Sequence, residues 1–288
     1  MSSRVLCLSL LAAAAIAMPC RGQVVSPTDP ASLYEQAQQP PDVPLSPDAW
    51  ARFPSDVDFR SRDTWKVLIA DVLKDQASIA RFPLQVAEGR HWKPFVVLTA
   101  ATVGLIALDP HDAPYFRRTR TFHGLNTVAN GVNTGAAMVL VPAVLYGVSA
   151  QRNDSYGKQT IFLAAEAVVD AQIVTVAMKT IDRRLLPVNV PDGRYADTWF
   201  EAGLLESKSF PSGHSITAFA LADVFSERYK GHRWVPWVTY GLAGVVGFSR
   251  LTLQAHFPSD VFAGGVLGII IPHHILEAVA LNPVVPGR

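Results

Sequence analysis

Cysteine is nearly missing from this 288-residue chain: Cys7 and Cys20 are the only two, and both fall in the first 22 residues. If that stretch is removed on export, what remains can build neither a disulfide nor a cysteine-ligated metal site. An excess of one charge is missing as well, with 25 Lys and Arg against 24 Asp and Glu. The basic surface that follows a nucleic-acid backbone is therefore not available, and no nucleic-acid partner is expected. Alternating strand patterns are scarce and no internal repeat stands out, which points away from a sheet and from a solenoid. What is abundant is apolar sequence, 49% of the residues with a mean hydropathy of +0.21.

Residues 1–22 read as an export signal, with Arg4 ahead of an apolar run from Val5 to Ala17 and small residues at Ala15, Ala17 and Gly22. That run is shorter than the roughly 20 residues of a spanning helix. Residues 23–60 hold Pro27, Pro30, Pro40, Pro41, Pro44 and Pro47 among polar residues and read as a tether. In residues 61–93, Trp65, Leu68, Ile69, Val72, Leu73 and Ile79 recur at helical spacing, with Asp71, Lys74 and Asp75 opposite, so an amphipathic helix and a connector are expected. Residues 94–288 carry six helical segments, 94–108, 134–149, 160–179, 211–229, 235–248 and 258–281. The expected fold class is all-α, a six-helix bundle with an extra N-terminal amphipathic helix.

Three clusters carry chemistry, and antiparallel neighbours would bring them to one face of the bundle. Lys179, Arg183 and Arg184 close the third helix, where cations also complement the helix dipole. Ser209, Phe210, Pro211, Ser212, Gly213 and His214 open the fourth, and unpaired N–H groups at a helix start attract phosphate oxygens. Ser249, Arg250, His256 and Asp260 bracket the turn into the last helix. A carboxylate such as Asp260 can fix one ring nitrogen of His256 and leave the other free to attack.

These residues resemble the type 2 phosphatidic acid phosphatase and vanadium haloperoxidase superfamily. Its Pro-Ser-Gly-His motif stands at Pro211 to His214, and its Ser-Arg, five residues, His, three residues, Asp motif stands at Ser249, Arg250, His256 and Asp260. Its first motif, Lys, six residues, Arg-Pro, is altered: from Lys179 the arginine position holds Leu186, followed by Pro187. The resemblance covers residues 94–280 and implies the bundle fold of that family. It implies a metal-independent phosphatase acting on a phosphomonoester or pyrophosphate, with no cofactor. His256 would be the nucleophile, Asp260 its orienting partner and His214 the acid. Lys179, Ser212, Gly213, Arg250 and, in place of the missing arginine, Arg184 would hold the phosphate.

The expected partner is a phosphorylated lipid or a small-molecule phosphate, at a membrane, on the periplasmic or extracytoplasmic side. The same pocket in haloperoxidases holds vanadate, so a vanadium-dependent oxidase is the rival reading, and a noncatalytic member is a third. His91, His111, His123, His232, His273 and His274 match no motif position and are expected to be structural. Glu166, Asp170, His273 and His274 would be costly facing lipid, which favours a soluble bundle, whereas the apolar runs favour membrane spans.

Overall fold

The computed structural model describes residues 62–89, 92–191 and 193–281, so the expected export signal and Pro-rich tether lie outside the described residues. Among these, every regular element is helical: α1 (Arg62–Ala87), α2 (Trp92–Arg118), α3 (His123–Val128), α4 (Gly131–Gln151), α5 (Ser155–Asp182), α6 (Gly213–Arg228), α7 (Val235–Thr252) and α8 (Pro258–Leu281). A short 3-10 turn spans Pro187–Asn189. All six expected bundle helices are present, and α1 is the amphipathic one.

The bundle is organised around α6, which packs against α5, α7 and α8. Its Ile216 and Val224 join Leu163, Ala167 and Ala171 of α5 and Leu267, Ile271 and Ile275 of α8 in the main core. Close approach of α8 depends on Gly264 and Gly268, four residues apart; a Cβ at Gly264 would stand 2.7 Å from Ser212 O. Small residues at that spacing let two backbones touch. Here the contact also sets where Ser212 sits.

Helix α5 starts with Asp154 accepting from Gly157 N. It ends at Arg183, whose φ of 42° and ψ of 42° are left-handed, at a cost of roughly 1 kcal/mol for a residue with a Cβ. Three bonds hold the turn: Phe200 N to Asp182 O, Ala202 N to Arg183 O, and Arg183 Nη2 to Phe200 O, at 3.0, 2.9 and 3.1 Å. The reversal drives the next residue, Arg184, into the core.

Two features depart from expectation. Helix α2 continues past Leu108 to Arg118 through Pro110 and Pro114. These prolines are four residues apart, so their missing donors fall on one face, while Asp109 and Ala113 on another are buried against the bundle. The added helix α3 is too short to show periodicity and is held through Asn126, which donates to Thr252 O and accepts from Thr252 Oγ1 at 3.1 and 2.6 Å.

Among the described residues α2, α4 and the segment 155–189 are long and apolar enough to cross a membrane. On α4 the apolar side chains face outward, with Val139, Leu140, Val141 and Val144 all more than half exposed. The chain is membrane-associated. Glu166 and Asp170 of α5 do not oppose this, because both are fully buried and α1 covers Asp170 with Gln76, whose Nε2 donates to Oδ1 at 2.8 Å.

Candidate active site

Four short connections assemble the site at one end of the bundle. Ser212 N donates to Asp260 O at 3.0 Å, tying the start of α6 to the start of α8. The Ser209 hydroxyl donates to Asp260 Oδ2. Ala255 N and His256 N both donate to Arg250 O, at 3.0 and 3.3 Å, folding the turn after α7 back on itself. Lys179 Nζ, at the end of α5, donates to Lys208 O. Residues from α5, α6, α7 and α8 thus share one small volume.

Ser212 caps α6 and accepts from Ser215 N at 3.3 Å. The next two residues, Gly213 and His214, present first-turn N–H groups, which have no partner inside a helix. His214 Nε2 lies 3.0 Å from Gly131 O at the start of α4. Burial pulls the His214 imidazole below its ordinary value, and the charges of Arg250 and Lys179 add to the drop.

His256 lies in the turn between α7 and α8 and is 8% exposed. Its Nδ1 stands 3.6 Å from Asp260 Oδ2 and makes no hydrogen bond, so the pair is aligned but not closed. Burial lowers the His256 value too, which keeps the ring neutral near pH 7. At Asp260 burial pushes the carboxyl up, but Arg184, His256 and Ser209 outweigh it and hold it down at about 2. Oδ2 also accepts from Phe257 N at 2.7 Å.

Arg250 is 2% exposed, and among the described residues no carboxylate pairs with it. Its Nη2 donates to Ala129 O and to Ser249 Oγ, and its Nε to the same hydroxyl. Gly131 faces it directly: a Cβ there would be 3.5 Å from Arg250 Nη1. Lys179, His214 and Arg250 therefore each engage a backbone carbonyl, a neutral acceptor that an anionic oxygen can replace.

Comparison with known proteins finds likenesses to this arrangement. Residues 160–282 match the PAP2 superfamily, a stretch that holds all three clusters. The match covers less than half of the chain, and over that stretch the chain is similar to the PAP2 superfamily. It is 38% identical over 66 residues to the lipid A 1-phosphatase of Porphyromonas gingivalis, covering 23% of this chain and 15% of that one. It is 37% identical over 62 residues to the bacitracin transport permease protein BcrC of Bacillus licheniformis, covering 22% and 29%. These matches thus span less than a third of either relative. A solved PAP2-type phosphatidylglycerolphosphate phosphatase from Bacillus subtilis overlaps 67% of this chain and 98% of its own, at a TM-score of 0.42 and 18% identity.

The altered first motif has a structural counterpart. Arg184, expected on the phosphate, meets side chains of the chain itself. It is 1% exposed, with Nη1 on Asp260 Oδ1 at 2.6 Å and on Ser259 Oγ at 2.8 Å, Nη2 on Asp109 Oδ2 at 2.6 Å, and Nε on Thr198 Oγ1 at 3.3 Å. Its plane also lies 4.0 Å from the Phe257 ring and 4.6 Å from Trp199. Two carboxylates and two aromatic faces surround this guanidinium, so its charge is compensated within the chain. Leu186 only caps the 3-10 turn.

Sequence reasoning missed Asp109 and Ser259 as members of the site, and placed Ser209 in a cluster without a role. Asp109 accepts from Ser259 N at 3.2 Å and from its hydroxyl, 150 residues away. The available signal was an acidic residue interrupting an otherwise apolar helix, which in a membrane-associated chain marks a paired or functional group.

Proposed function

We propose that the chain is a metal-independent phosphatase that hydrolyses a phosphomonoester or pyrophosphate of a membrane lipid. The carrying observation is the set of three donors, Lys179, His214 and Arg250, near enough for the two cations to act on the His214 ring, and meeting carbonyls and the Ser249 hydroxyl but no carboxylate among the described residues. A phosphoryl group supplies the negative oxygens that such a cradle lacks, and phosphoryl transfer is catalysed chiefly by positioning and by stabilising charge on the equatorial oxygens.

In this reading the His256 nitrogen remote from Asp260 attacks phosphorus. The bond from phosphorus to the leaving oxygen breaks, and His214 gives that oxygen its proton. Asp260 closes on Nδ1 as the imidazole becomes cationic. Water then attacks the phosphohistidine, His214 takes the water's proton, and inorganic phosphate leaves with His256 restored. Lys179, Arg250, Ser212 and the first N–H groups of α6 hold the oxygens that do not react.

A lipid substrate is supported by the exposed apolar face of α4, whose first residue, Gly131, meets His214 and Arg250. It is also supported by relatives named for phosphatase action on lipid A. Work on the extracytoplasmic side follows from the export signal read in residues 1–22.

The test is phosphate release by the full chain in detergent with EDTA, offered phosphatidic acid, an isoprenyl pyrophosphate and p-nitrophenyl phosphate. Release should survive chelation, should favour one of the lipids, and should fall by at least about 10⁴-fold in His256→Ala. Retained activity in that variant, or dependence on added metal, would refute the histidine route.

A further inference from the structure

Two leucines at the active-site end stand outside the core. Between α5 and α6, Glu206 N donates to Gly203 O at 3.2 Å, closing a four-residue turn whose central residues are Leu204 and Leu205. Leu204 is 72% exposed and Leu205 fully exposed. Central turn positions usually go to Pro, Asp, Asn, Gly or Ser, for reasons of backbone geometry and hydrogen bonding that leucine does not supply. The turn is nevertheless fixed. Glu206 Oε2 accepts from Gly203 N at 2.9 Å, and Lys208 Nζ donates to Leu204 O and Glu206 O at 2.8 and 3.1 Å. A turn held by several hydrogen bonds thus presents two apolar side chains to its surroundings.

The turn rises from the end of a helix suited to a bilayer. Ala202 N donates to Arg183 O at 2.9 Å, which sets residues 203–206 beside the last turn of α5. The segment 155–189 is long and apolar enough to cross a membrane. Val169, Ile173 and Val176, spaced four and three apart on one face of α5, are all exposed, and so is Ile181 in its last turn. The outward apolar surface of α5 and the leucine turn therefore meet at the helix end that carries Lys179. Lys208 joins them to the site, since its ammonium holds the turn while its carbonyl accepts from Lys179 Nζ.

We propose that Leu204 and Leu205 insert into the lipid bilayer at the leaflet where α5 ends, making the turn a membrane contact beside the phosphate site. Lipid is the occupant because the turn adjoins a surface already suited to hydrocarbon, and because burial of leucine there needs no matching shape. Two side chains also fall far short of the roughly 800 Å² per partner that a specific protein interface buries. Insertion need reach only the boundary of headgroups and acyl chains, about 5–10 Å deep. The polar groups at the base of the turn suit that depth: Leu204 O is already bonded to Lys208, and the Glu206 carboxylate is folded back on Gly203 N. With a lipid phosphate as substrate, the contact would seat Lys179, through Lys208, at the level of the headgroups.

The test places the full chain in phospholipid vesicles, with Cys7→Ser and Cys20→Ser and a fluorophore attached at Leu205→Cys. Lipids spin-labelled near the top of the acyl chain should quench it, and aqueous iodide should not. The same fluorophore at Asp197→Cys, in the same loop and exposed in an ion pair with Arg194, should show the reverse. Quenching of the Leu205 position by iodide alone would overturn the contact. So would protection from both quenchers, which marks a protein partner such as a second copy of this chain. Turnover gives a second readout. Leu204→Ser with Leu205→Ser should raise KM for a lipid phosphate in vesicles by about tenfold and leave p-nitrophenyl phosphate hydrolysis unchanged, with Met at both positions restoring the lipid value. An equal loss on both substrates would overturn the contact, as would no loss on either. If wild type releases no phosphate from any substrate, the phosphatase reading fails and the quenching still decides the contact.

Discussion

Arg184 and Arg250 are both buried, at 1% and 2% exposure, and both belong to the layer that holds Asp260 and His256. Their surroundings are opposite. Arg184 faces Asp109 and Asp260 at 2.6 Å each, while Arg250 faces a carbonyl and a hydroxyl and no carboxylate among the described residues. A buried charge without a counter-charge costs several kcal/mol. Arg184 is compensated within the chain, and its work is to hold Asp260. Arg250 is not, and burial alone pulls its pKa down. An uncompensated buried cation is stabilised when an anion arrives, so this contrast separates a structural arginine from a ligand-binding one.

The contrast breaks most visibly at Arg184. Replacing it with Met leaves Asp109 and Asp260 facing each other without a cation, and breaking a buried pair in this way costs about 3–5 kcal/mol. A fall of roughly 10 °C in melting temperature is expected by calorimetry. Adding Asp109→Asn should recover part of it, because one of the two stranded charges is then gone. A melting temperature unchanged in Arg184→Met would show that the ion pairs are not holding the layer.

Arg250→Gln should behave in the opposite sense. Stability should hold or rise, because an uncompensated charge is removed, while phosphate release should fall by about 10²–10³-fold, the cost of losing one donor to a developing anion. If Arg250→Gln instead unfolds the chain and spares the rate of what remains folded, the two arginines have been assigned the wrong way round. The contrast is sharpened by ligand. Inorganic phosphate at about 100 times its Kd should stabilise wild type by about 2.7 kcal/mol, measured as a shift in melting temperature, and should leave Arg250→Gln where it is.

The same contrast shows what could be read from sequence. Arg250 stands in a local pattern with Ser249, His256 and Asp260, all within 12 residues, and short spacing across one helix turn is legible without a structure. The six bundle helices were legible for the same reason, since their apolar runs are local. Arg184 was legible as a cation near the site but not as the anchor of Asp260, because its partners lie 75 and 76 residues away and leave no mark on their neighbours. The left-handed turn at Arg183, which decides the matter by pointing Arg184 inward, occurs at a residue with a Cβ, so glycine gave no warning of it. Pro110 and Pro114 misled in the other direction, reading as a helix end where tertiary packing carries α2 through.

The smallest effect concerns pH, and it distinguishes the two histidines that flank Arg250. Both imidazoles are lowered by burial, with Arg250 and Lys179 adding to the drop at His214. His256 must be neutral to attack and His214 protonated to donate, so the optimum should lie below the ordinary imidazole value of about 6.5. The alkaline limb belongs to His214. It should be steep for an alkyl phosphate, whose leaving oxygen needs a proton, and shallow for p-nitrophenyl phosphate, whose leaving group departs without one. Stability moves with its own sign. Histidines lowered on folding bind fewer protons than in the unfolded chain, so their contribution is complete above about 6.5 and declines as pH falls toward the folded values. The Asp260 contribution persists down to the unfolded value of about 3.9 and is lost only as pH falls toward 2. The histidine contribution to melting temperature, read as the difference between wild type and a His214→Gln variant, should therefore decline between about pH 6.5 and 4 while activity passes through its maximum. An optimum above pH 7 for both substrates would mean that neither His214 nor His256 titrates where its burial places it, and would remove His214 from the role of acid.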